Sequence, residues 1–408
     1  MFQITIAIVI AAYLLDISML LLNYKHRNQP IPQNVQDVYK ENEYQKWLQY
    51  TFETYRVSIM ASTLSAFALI FFLILDLFPM LANLANDYSS DMIIQTIIFL
   101  GLYSAVNFVL RIGFQWYRVF NIEERYGFNR STPKTFIVDQ LKSLLLSVVL
   151  GGGLLYILLY LYQQLNHLFF LLGWLLIVLF FLTVNLLYTR ILIRIFNKLT
   201  PLPEGELYDH IQTLTRSTGY EIKKISVMNA SKRSTKINAF FSGFGKFKHI
   251  VLYDTLLEKC GVGEITSVLA HEIGHARNKD VLKNILTFVV QTGLIMLLLA
   301  WFLSADSLML AFGFNEMHIG FSLVLFSILI RPLDVLISIP LNAHSRKAEY
   351  RADNFAAKAG YRQEMINALK ILARENFSNL TPHPFVVRLT YTHPPVSQRI
   401  EALSEEME

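Results

Sequence analysis

Long apolar stretches alternate with polar loops along the chain, and this pattern predicts its architecture. Seven of the stretches approach the roughly 20 residues that an α-helix needs to cross a hydrocarbon core of about 30 Å. The link between the fourth and fifth stretches, 163–167, is short, so these two are predicted to form a helical hairpin. We predict seven membrane-spanning helices, at residues 3–23, 58–81, 92–110, 143–163, 168–189, 284–303 and 319–340.

The basic charge of the connecting segments predicts which side of the membrane each one occupies. Lys and Arg are frequent in four segments, 24–57, 111–142, 190–283 and the tail after 340. Neither residue occurs in the other three, 82–91, 164–167 and 304–318. Because basic segments are retained in the cytosol, we expect the N-terminus outside or in the lumen and the C-terminus in the cytosol.

The amino-acid composition favours a membrane protein. Of the 408 residues, 53% are hydrophobic and 16% are charged, whereas soluble domains carry about 25% charged residues. The net charge of +5 derives from the cytosolic segments, so membrane lipid is predicted as a partner and nucleic acid is not. The single cysteine, Cys260, excludes an intramolecular disulfide.

Two long polar segments, 190–283 and 341–408, have room for soluble chemistry. The first contains a helical pattern over 204–218 and two strand-like runs at 224–227 and 249–253. The second is predicted to be helical at first and then to form a proline-rich loop. An α+β domain outside the membrane is the expected result.

Residues 271–275 read His-Glu-Ile-Gly-His within a predicted helix. Histidines four residues apart lie on the same face of a helix, so His271 and His275 can bind one metal ion. Glu272 follows the first histidine, where a glutamate can accept a proton from the attacking water. On this motif alone, two ordinary helix histidines without a metal remain the alternative.

A catalytic zinc ion usually takes three protein ligands and leaves its fourth position for water. The segment 345–354, Ser-Arg-Lys-Ala-Glu-Tyr-Arg-Ala-Asp-Asn, offers Glu349 and, four residues later on the same helical face, Asp353. One carboxylate can bind zinc while the other accepts the free N–H of a histidine ligand. Taken alone, such a segment is more often a solvated, charged helix face.

Together these motifs resemble those of the type I CAAX prenyl protease family, which are membrane zinc metalloproteases of the gluzincin class. The resemblance rests on HEIGH at 271–275, SRKAEYRAD at 345–353 and THPPVSQRIEAL at 392–403. Shorter matches are PLPEG at 201–205, SKRS at 231–234, NAF at 238–240, IVLYDT at 250–255 and EERYGFN at 123–129. The resemblance runs from about residue 50 to the end of the chain.

The resemblance implies one zinc ion (Zn²⁺) per chain, with His271, His275 and Glu349 as its ligands and Glu272 as the catalytic base. Asp353 matches an acidic residue of the family that is often assigned as a proton donor. We favour a contact between Asp353 and a histidine ligand, because a carboxylate beside a metal ligand stays ionised.

Further residues match parts of the family that bind substrate. His393, in Thr-His-Pro-Pro, matches a histidine that stabilises the tetrahedral oxyanion, with an ordinary loop histidine as the alternative. Asn238 and Ala239 resemble an edge strand that pairs with an extended substrate backbone. In one departure, residues 276–280 read Ala-Arg-Asn-Lys-Asp where many eukaryotic relatives are rich in histidine, and no zinc ligand is lost.

The predicted fold is mainly α, with seven transmembrane helices that enclose a chamber and a cytosolic α+β zinc metallopeptidase domain. Residues 1–189 are expected to form a membrane domain of five spans, and 190–283 the metallopeptidase domain with the HEIGH helix. Residues 284–340 add two spans, and 341–408 form the C-terminal helical part with the third zinc ligand.

The predicted function is that of a zinc metalloendopeptidase that removes the C-terminal tripeptide from prenylated proteins in the endoplasmic reticulum. If the chain is prokaryotic and prenylated proteins are absent, the alternative is quality control of membrane proteins in the inner membrane. A transporter or channel, or an inactive scaffold, would not need the intact ligand motifs. The predicted partner is a peptide or protein substrate, with prenylation left open.

Asp16, Arg331 and Asp334 lie within predicted spans, where polar residues usually face a bundle interior or a water-filled cavity. Two interpretations are open. The three residues line the chamber that the resemblance implies, or Arg331 and Asp334 pair with each other, three residues apart on one helix.

The pattern of loop charges generates a test of topology. Tags inserted at residue 85 and at the C-terminus are expected to report opposite sides of the membrane, because the first position lies in a segment without Lys or Arg. Accessibility of each tag to an impermeant label in sealed vesicles measures this. Labelling of both tags from the same side would contradict the predicted orientation.

Overall fold

The computed structural model describes residues 1–165, 168–220, 224–242, 249–304 and 306–405. Up to residue 196 the chain is helical apart from its loops. Short π-helical turns at Arg118–Glu123, Ser147–Gly152 and Tyr188–Leu192 extend or join neighbouring helices. The helices of this part are α1 Phe2–His26, α2 Glu41–Ile74, α3 Leu77–Tyr88, α4 Met92–Tyr117, α5 Pro133–Leu146, α6 Gly153–Leu165, α7 Phe169–Leu187 and α8 Ile193–Phe196.

The second part combines a small sheet with nine further described helices. Its strands are β1 Leu199–Pro201, β2 Lys224–Met228, β3 Ala239–Ser242 and β4 His249–Tyr253. Its helices are α9 Glu206–Thr218, α10 Asp254–Lys259, α11 Val262–Arg277, α12 Asp280–Leu303, α13 Ile319–Leu329, α14 Arg331–Ala356, α15 Arg362–Glu375, α16 Pro384–Thr390 and α17 Val396–Glu405.

Six helical stretches of the described chain are long and apolar enough to cross a membrane, and a bent pair makes a seventh. They are α1, α2, Met92–Glu123, Pro133–Leu165, Phe169–Phe196 and α12, with α13 and α14 as the pair. The bend between α13 and α14 is 49°. Pro332 explains it, because a proline ring displaces the carbonyl four residues earlier and lacks an N–H donor. The seven predicted spans therefore have counterparts, and residues 166–167 of the predicted hairpin link lie outside the described residues.

The second predicted span is misplaced at its C-terminal end. We expected one helix over 58–81, but α2 ends at Ile74 and Asp76 adopts a left-handed conformation with φ of 51° before α3 begins. Pro79 cannot continue α2, because its ring would clash with the carbonyl of Leu75. The buried Ala85 lies inside α3, so the first tag is better inserted at the exposed Ser90.

The sheet has the strand order β1-β2-β4-β3, with β2 and β4 parallel and the outer pairs antiparallel. The strand-like runs 224–227 and 249–253 correspond to β2 and β4, and the helical pattern over 204–218 corresponds to α9. Gly219 ends α9 with φ of 61°, a conformation that glycine adopts without a steric penalty. The strand β3 lies at one edge of the described sheet.

The loop between α1 and α2 contributes to the core of the second part of the chain. Val35, Val38 and Tyr39 of this loop, together with Trp47 near the start of α2, are buried in one apolar cluster with residues of α9, α11 and α15. The Trp47 indole N–H donates to the carbonyl of Phe377 at 3.1 Å. We had placed this loop with the membrane spans, whereas its buried side chains belong to the apolar cluster of the second part of the chain.

Arg233 links the second part of the chain to the helices of the first. Its guanidinium donates to both carboxylate oxygens of Asp139 on α5, at 2.7 and 2.9 Å. It also donates to the Asn197 side chain at 2.8 Å and to the carbonyl of Phe196 at 2.7 Å. Because two parallel hydrogen bonds to a carboxylate fix orientation as well as distance, this contact defines how the sheet region sits on α5 and α8.

The expectation that Arg331 pairs with Asp334 is wrong. The Arg331 guanidinium lies 2.5 Å from a carboxylate oxygen of Asp16 on α1. Both residues line a cavity of about 460 Å³ between α1, α2, α4 and α13. Arg331 and Asp16 can meet although they lie on separate helices, because the cavity has room for both side chains. This contact supports the interpretation that polar residues of the spans face an interior space.

Candidate metal centre

The helix α11 presents its apolar side to the core and its two histidines to one another. Ile265, Leu269 and Ile273 are fully or almost fully buried, at three- and four-residue spacing. One helical turn separates His271 from His275, whose Nε2 atoms lie 3.1 Å apart. The two imidazoles therefore converge on one point, as the sequence pattern predicts.

Gly274 brings the third predicted ligand to this point. A Cβ atom at position 274 would lie 2.9 Å from the Cα of Ala352, closer than real Cβ contacts allow. Glycine thus lets α11 and α14 approach each other without a side chain between them. Ala352 is three residues from Glu349 on α14, so this close approach brings the Glu349 carboxylate to the histidines.

The ligand atoms of His271, His275 and Glu349 all lie within 4.8 Å of one another. Glu349 oxygens are 3.6 Å from the His271 Nε2 and 3.3 Å from the His275 Nε2. Ligands at about 2.1 Å from a tetrahedral zinc ion would be separated by about 3.4 Å. Among the described residues, the buried Oε2 of Glu349 also makes no hydrogen bond, so the geometry fits a metal ion.

Each histidine has a carboxylate on its other ring nitrogen. The His271 Nδ1 lies 2.8 Å from Asp353, and the His275 Nδ1 lies 3.1 Å from Asp280. Such contacts select the tautomer in which Nδ1 carries the proton and Nε2 is free for a metal. Burial lowers the pKa of His275, but hydrogen bonds to Glu349 and Asp280 outweigh burial and raise it to about 9. The site is therefore prepared for positive charge.

Asp280 and Arg399 contact the candidate site, and neither was predicted as a site residue from the sequence. Asp280 is buried at the start of α12, and Lys283 and Arg351 each lie 3.2 Å from its carboxylate. Its only signal in the sequence is an acidic residue that follows the second histidine by five positions. Arg399 shares a face of α17 with the buried Leu403. The available signal in the sequence was therefore an arginine at a position that the helical pattern assigns to the core.

The Arg399 guanidinium is buried beside the carboxylates of Glu349 and Asp353 on α14. It donates to the two oxygens of Asp353 at 2.7 and 2.6 Å and lies 3.3 Å from Glu349. Burial raises the pKa of Asp353, but Arg399 and His271 outweigh burial and hold it at about 2. This carboxyl group lies beyond the apolar span and stays ionised at neutral pH, which makes it a poor proton donor.

A cavity of about 330 Å³ opens beside the ligands, and Glu272, Thr392 and His393 line it. The His393 Nε2 lies 3.3 Å from a Glu349 oxygen, and its Nδ1 lies 2.9 Å from the Thr392 hydroxyl. The imidazole is 65% exposed and lines this cavity. Burial raises the pKa of Glu272, which makes its carboxylate a stronger proton acceptor.

The register of β3 exposes backbone groups of Ala239. The Tyr253 N–H donates to the carbonyl of Asn238, so residues 238 and 253 form a hydrogen-bonded pair of the antiparallel ladder. In the alternation of such a ladder, the N–H and carbonyl of the next residue point away from the partner strand. The Ala239 N–H therefore faces the free edge, where the Asn238 side chain accepts it at 2.9 Å.

Comparison with known proteins agrees with this site. Residues 21–198 match the family described as CAAX prenyl protease N-terminal, five membrane helices, and residues 201–407 match peptidase family M48. CAAX prenyl protease 1 of Saccharomyces cerevisiae is 31% identical over 402 residues, which cover 91% of this chain and 88% of that protein. The CAAX prenyl protease 1 homolog of Homo sapiens is 30% identical, with 76% and 74% covered.

A solved structure extends the similarity to the fold. The crystal structure of S. mikatae Ste24p superposes on the chain with a TM-score of 0.93 and 29% sequence identity. The match covers 98% of each chain, so membrane helices and sheet region correspond throughout. The metallopeptidase family implies a metal, and the cluster of two histidines and a glutamate is where the structure can hold it.

The contact between Asp280 and His275 generates a prediction. Asp280→Asn is expected to weaken metal binding roughly 10- to 100-fold, because the amide no longer enforces the metal-binding tautomer. Activity should return when excess metal is supplied, and titration with a competing chelator measures the affinity. Lys283→Ala is the control, because it removes an exposed partner of Asp280 and leaves the histidine contact intact. Unchanged metal affinity in Asp280→Asn would contradict the assignment.

Proposed function

Because the chain belongs to peptidase family M48 and is a membrane metalloprotease of the CAAX prenyl protease type, we propose that it works with one zinc ion per chain. His271, His275 and Glu349 would hold the ion. The observation that carries this proposal is the convergence of three side chains beside an open cavity, with the two Nε2 atoms 3.1 Å apart and each within 3.6 Å of a Glu349 oxygen. Two imidazoles and one carboxylate with a free fourth position form a usual ligand set of catalytic zinc.

When bound, zinc would supply the Lewis acid that polarises the scissile carbonyl and acidifies the attacking water. Glu272 accepts the proton of that water and delivers it to the departing amine. The His393 imidazole donates a hydrogen bond to the oxyanion as it forms. Asp353 and Asp280 hold the two ligand imidazoles in place through their Nδ1 atoms, and neither has to exchange a proton.

The proposed reaction is removal of the C-terminal tripeptide from a prenylated protein. The relatives' printed name, CAAX prenyl protease 1, supports this substrate class over general quality control of membrane proteins. We propose that Asn238 and Ala239 hold the peptide at the free edge of β3, whose backbone groups can pair with an extended chain of any sequence. A contact between β3 and α11, the helix that carries both histidines, supports this proposal.

The proposed setting follows from the same charges that predict topology. Residues 190–283 and 341–408 would form the catalytic domain on the cytosolic side, with the N-terminus outside or in the lumen. The spans 1–189 and 284–340 would anchor it in the endoplasmic reticulum or the bacterial inner membrane. Substrate would therefore be cut close to the membrane surface where its lipid is inserted.

The decisive experiment compares a prenylated peptide with its unlipidated twin. Mass spectrometry of the products should show cleavage after the lipidated cysteine, with the twin cut at least tenfold more slowly, since only the lipid brings substrate to the membrane. Equal cleavage of both peptides would favour a general membrane protease instead. Cleavage of neither would contradict the proposed activity.

A second prediction concerns the metal and the base. Purified protein is expected to contain about one zinc ion per chain, and His271→Ala or Glu349→Ala to lose most of it. Glu272→Gln should keep its zinc and lose activity by at least about 100-fold, because general base catalysis is lost. Elemental analysis and peptide cleavage measure the two effects. Full activity of Glu272→Gln would show that another residue is the base.

The register of β3 yields a third prediction. Ala239→Pro is expected to raise KM or abolish cleavage, because proline removes the N–H donor that faces the free edge. Ala239→Ser keeps this donor and should be nearly silent. Zinc content and membrane insertion of the proline variant show whether it is folded. A folded proline variant with wild-type kinetics would mean that the segment does not bind substrate.

A further inference from the structure

One end of the 330 Å³ cavity is formed by polar side chains that the proposed mechanism does not use. Asn284 lies one turn after Asp280 on α12, and His344 lies five residues before Glu349 on α14. Both side chains are exposed and line the cavity. Neither makes a hydrogen bond, an ion pair or a ring contact with any residue that the structure describes.

The direction of the two helices places this end towards the membrane. α12 runs from Asp280 into its apolar span, and α14 runs out of the bent span towards Glu349. Four residues of helix rise about 6 Å and five rise about 7.5 Å. Asn284 and His344 therefore lie at one level, about one helical turn from the metal centre on its membrane side.

The part of the substrate that leaves is long enough to reach this level. Three extended residues beyond the scissile bond span about 10 Å. With the scissile carbonyl beside His275 and Glu349, the free carboxylate of a departing tripeptide can reach the level of Asn284 and His344. An asparagine amide and an imidazole each supply an N–H donor for a carboxylate.

The charges near this end are compatible with an anion. Asp280 is the carboxylate nearest along α12, and it is already neutralised by Lys283 and Arg351 at 3.2 Å and held by His275 at 3.1 Å. The remaining carboxylates of the lining, Glu272 and Glu349, belong to the metal centre. The lining therefore has no unpaired carboxylate at its membrane end that would repel the C-terminal carboxylate of a substrate.

We propose that Asn284 and His344 bind the C-terminal carboxylate of the substrate and so select chains that end three residues after the scissile bond. This inference rests on the proposed removal of a tripeptide. The two side chains act as determinants of specificity, and they take no part in bond cleavage. Their hydrogen bonds are charge-assisted, which makes them stronger than contacts with a neutral amide.

The test compares a prenylated peptide that has a free C-terminal carboxylate with the same peptide as a C-terminal amide. Full-length wild-type protein in detergent is expected to cleave the free acid roughly tenfold more efficiently, judged by kcat/KM. His344→Ala should lose most of this preference by slowing only the free acid. Asn284→Asp adds a carboxylate that repels the free acid and should reverse the preference, with the free acid slowed far more than the amide.

Three controls keep the outcomes distinct. His344→Gln retains an N–H donor and should restore much of the preference, also if His344→Ala proves unstable. Lys347→Ala removes an exposed cation of α14 that does not line the cavity, and it should change neither rate. Zinc content is measured for every variant. An equal loss on both peptides in the His344 and Asn284 variants would overturn the inference, and so would a wild-type protein without preference for the free acid. If the wild-type protein cleaved neither peptide, the proposed function itself would be contradicted.

Discussion

The contact between α11 and α14 at Gly274 is the constraint on which the catalytic half of the structure depends. The absence of a Cβ atom lets the backbone of Ala352 lie against the helix that carries both histidines. Any larger residue would separate the helices, and the interatomic distances of 3.3 and 3.6 Å between Glu349 and the histidines would lengthen. Because metal ligands tolerate errors of only about 0.2 Å, one glycine decides whether three ligands from two helices form one site.

Buried charge is the second feature that holds the centre together. Asp353 and Glu349, four residues apart on α14, both lie against the buried Arg399, yet they contact different atoms of His271. A carboxylate or guanidinium left without its partner in such surroundings costs several kcal/mol, roughly 3 to 5 in comparable cases. These four side chains therefore stabilise the site only when all of them are present. A bound cation would add positive charge, which the two carboxylates favour.

The membrane half does more than anchor the catalytic half. Tyr39 of the loop between α1 and α2 and Trp47 of α2 are buried in the same core as residues of α11, and Arg233 binds Asp139 of α5. Lys236, three residues before β3, lies within 3.2 Å of both the Tyr50 hydroxyl of α2 and the Glu123 carboxylate. The strand that we propose to bind substrate is thus held by membrane helices, which couples its position to theirs.

The sequence by itself determined the features that depend on local periodicity. Runs of apolar residues predicted seven spans, and four-residue spacing predicted that His271 and His275 share a face and that Glu349 and Asp353 share another. These predictions succeed because a helix has a fixed 3.6-residue repeat, whatever it packs against. The ends of the spans were harder to predict. Hydropathy alone continued the second span to residue 81, whereas Pro79 is incompatible with a continuous α2.

Only the tertiary structure decided which distant elements meet. It brought Asp280 to His275 and Arg399 to Asp353, and it paired Arg331 with Asp16, 315 residues away, instead of its neighbour Asp334. It also placed Val35, Val38, Tyr39 and Trp47 in the core around α11 and set the register that turns the Ala239 N–H to the free edge. Such contacts depend on how helices cross and which small residues let them approach, and a periodic pattern within one segment carries no information about its partner.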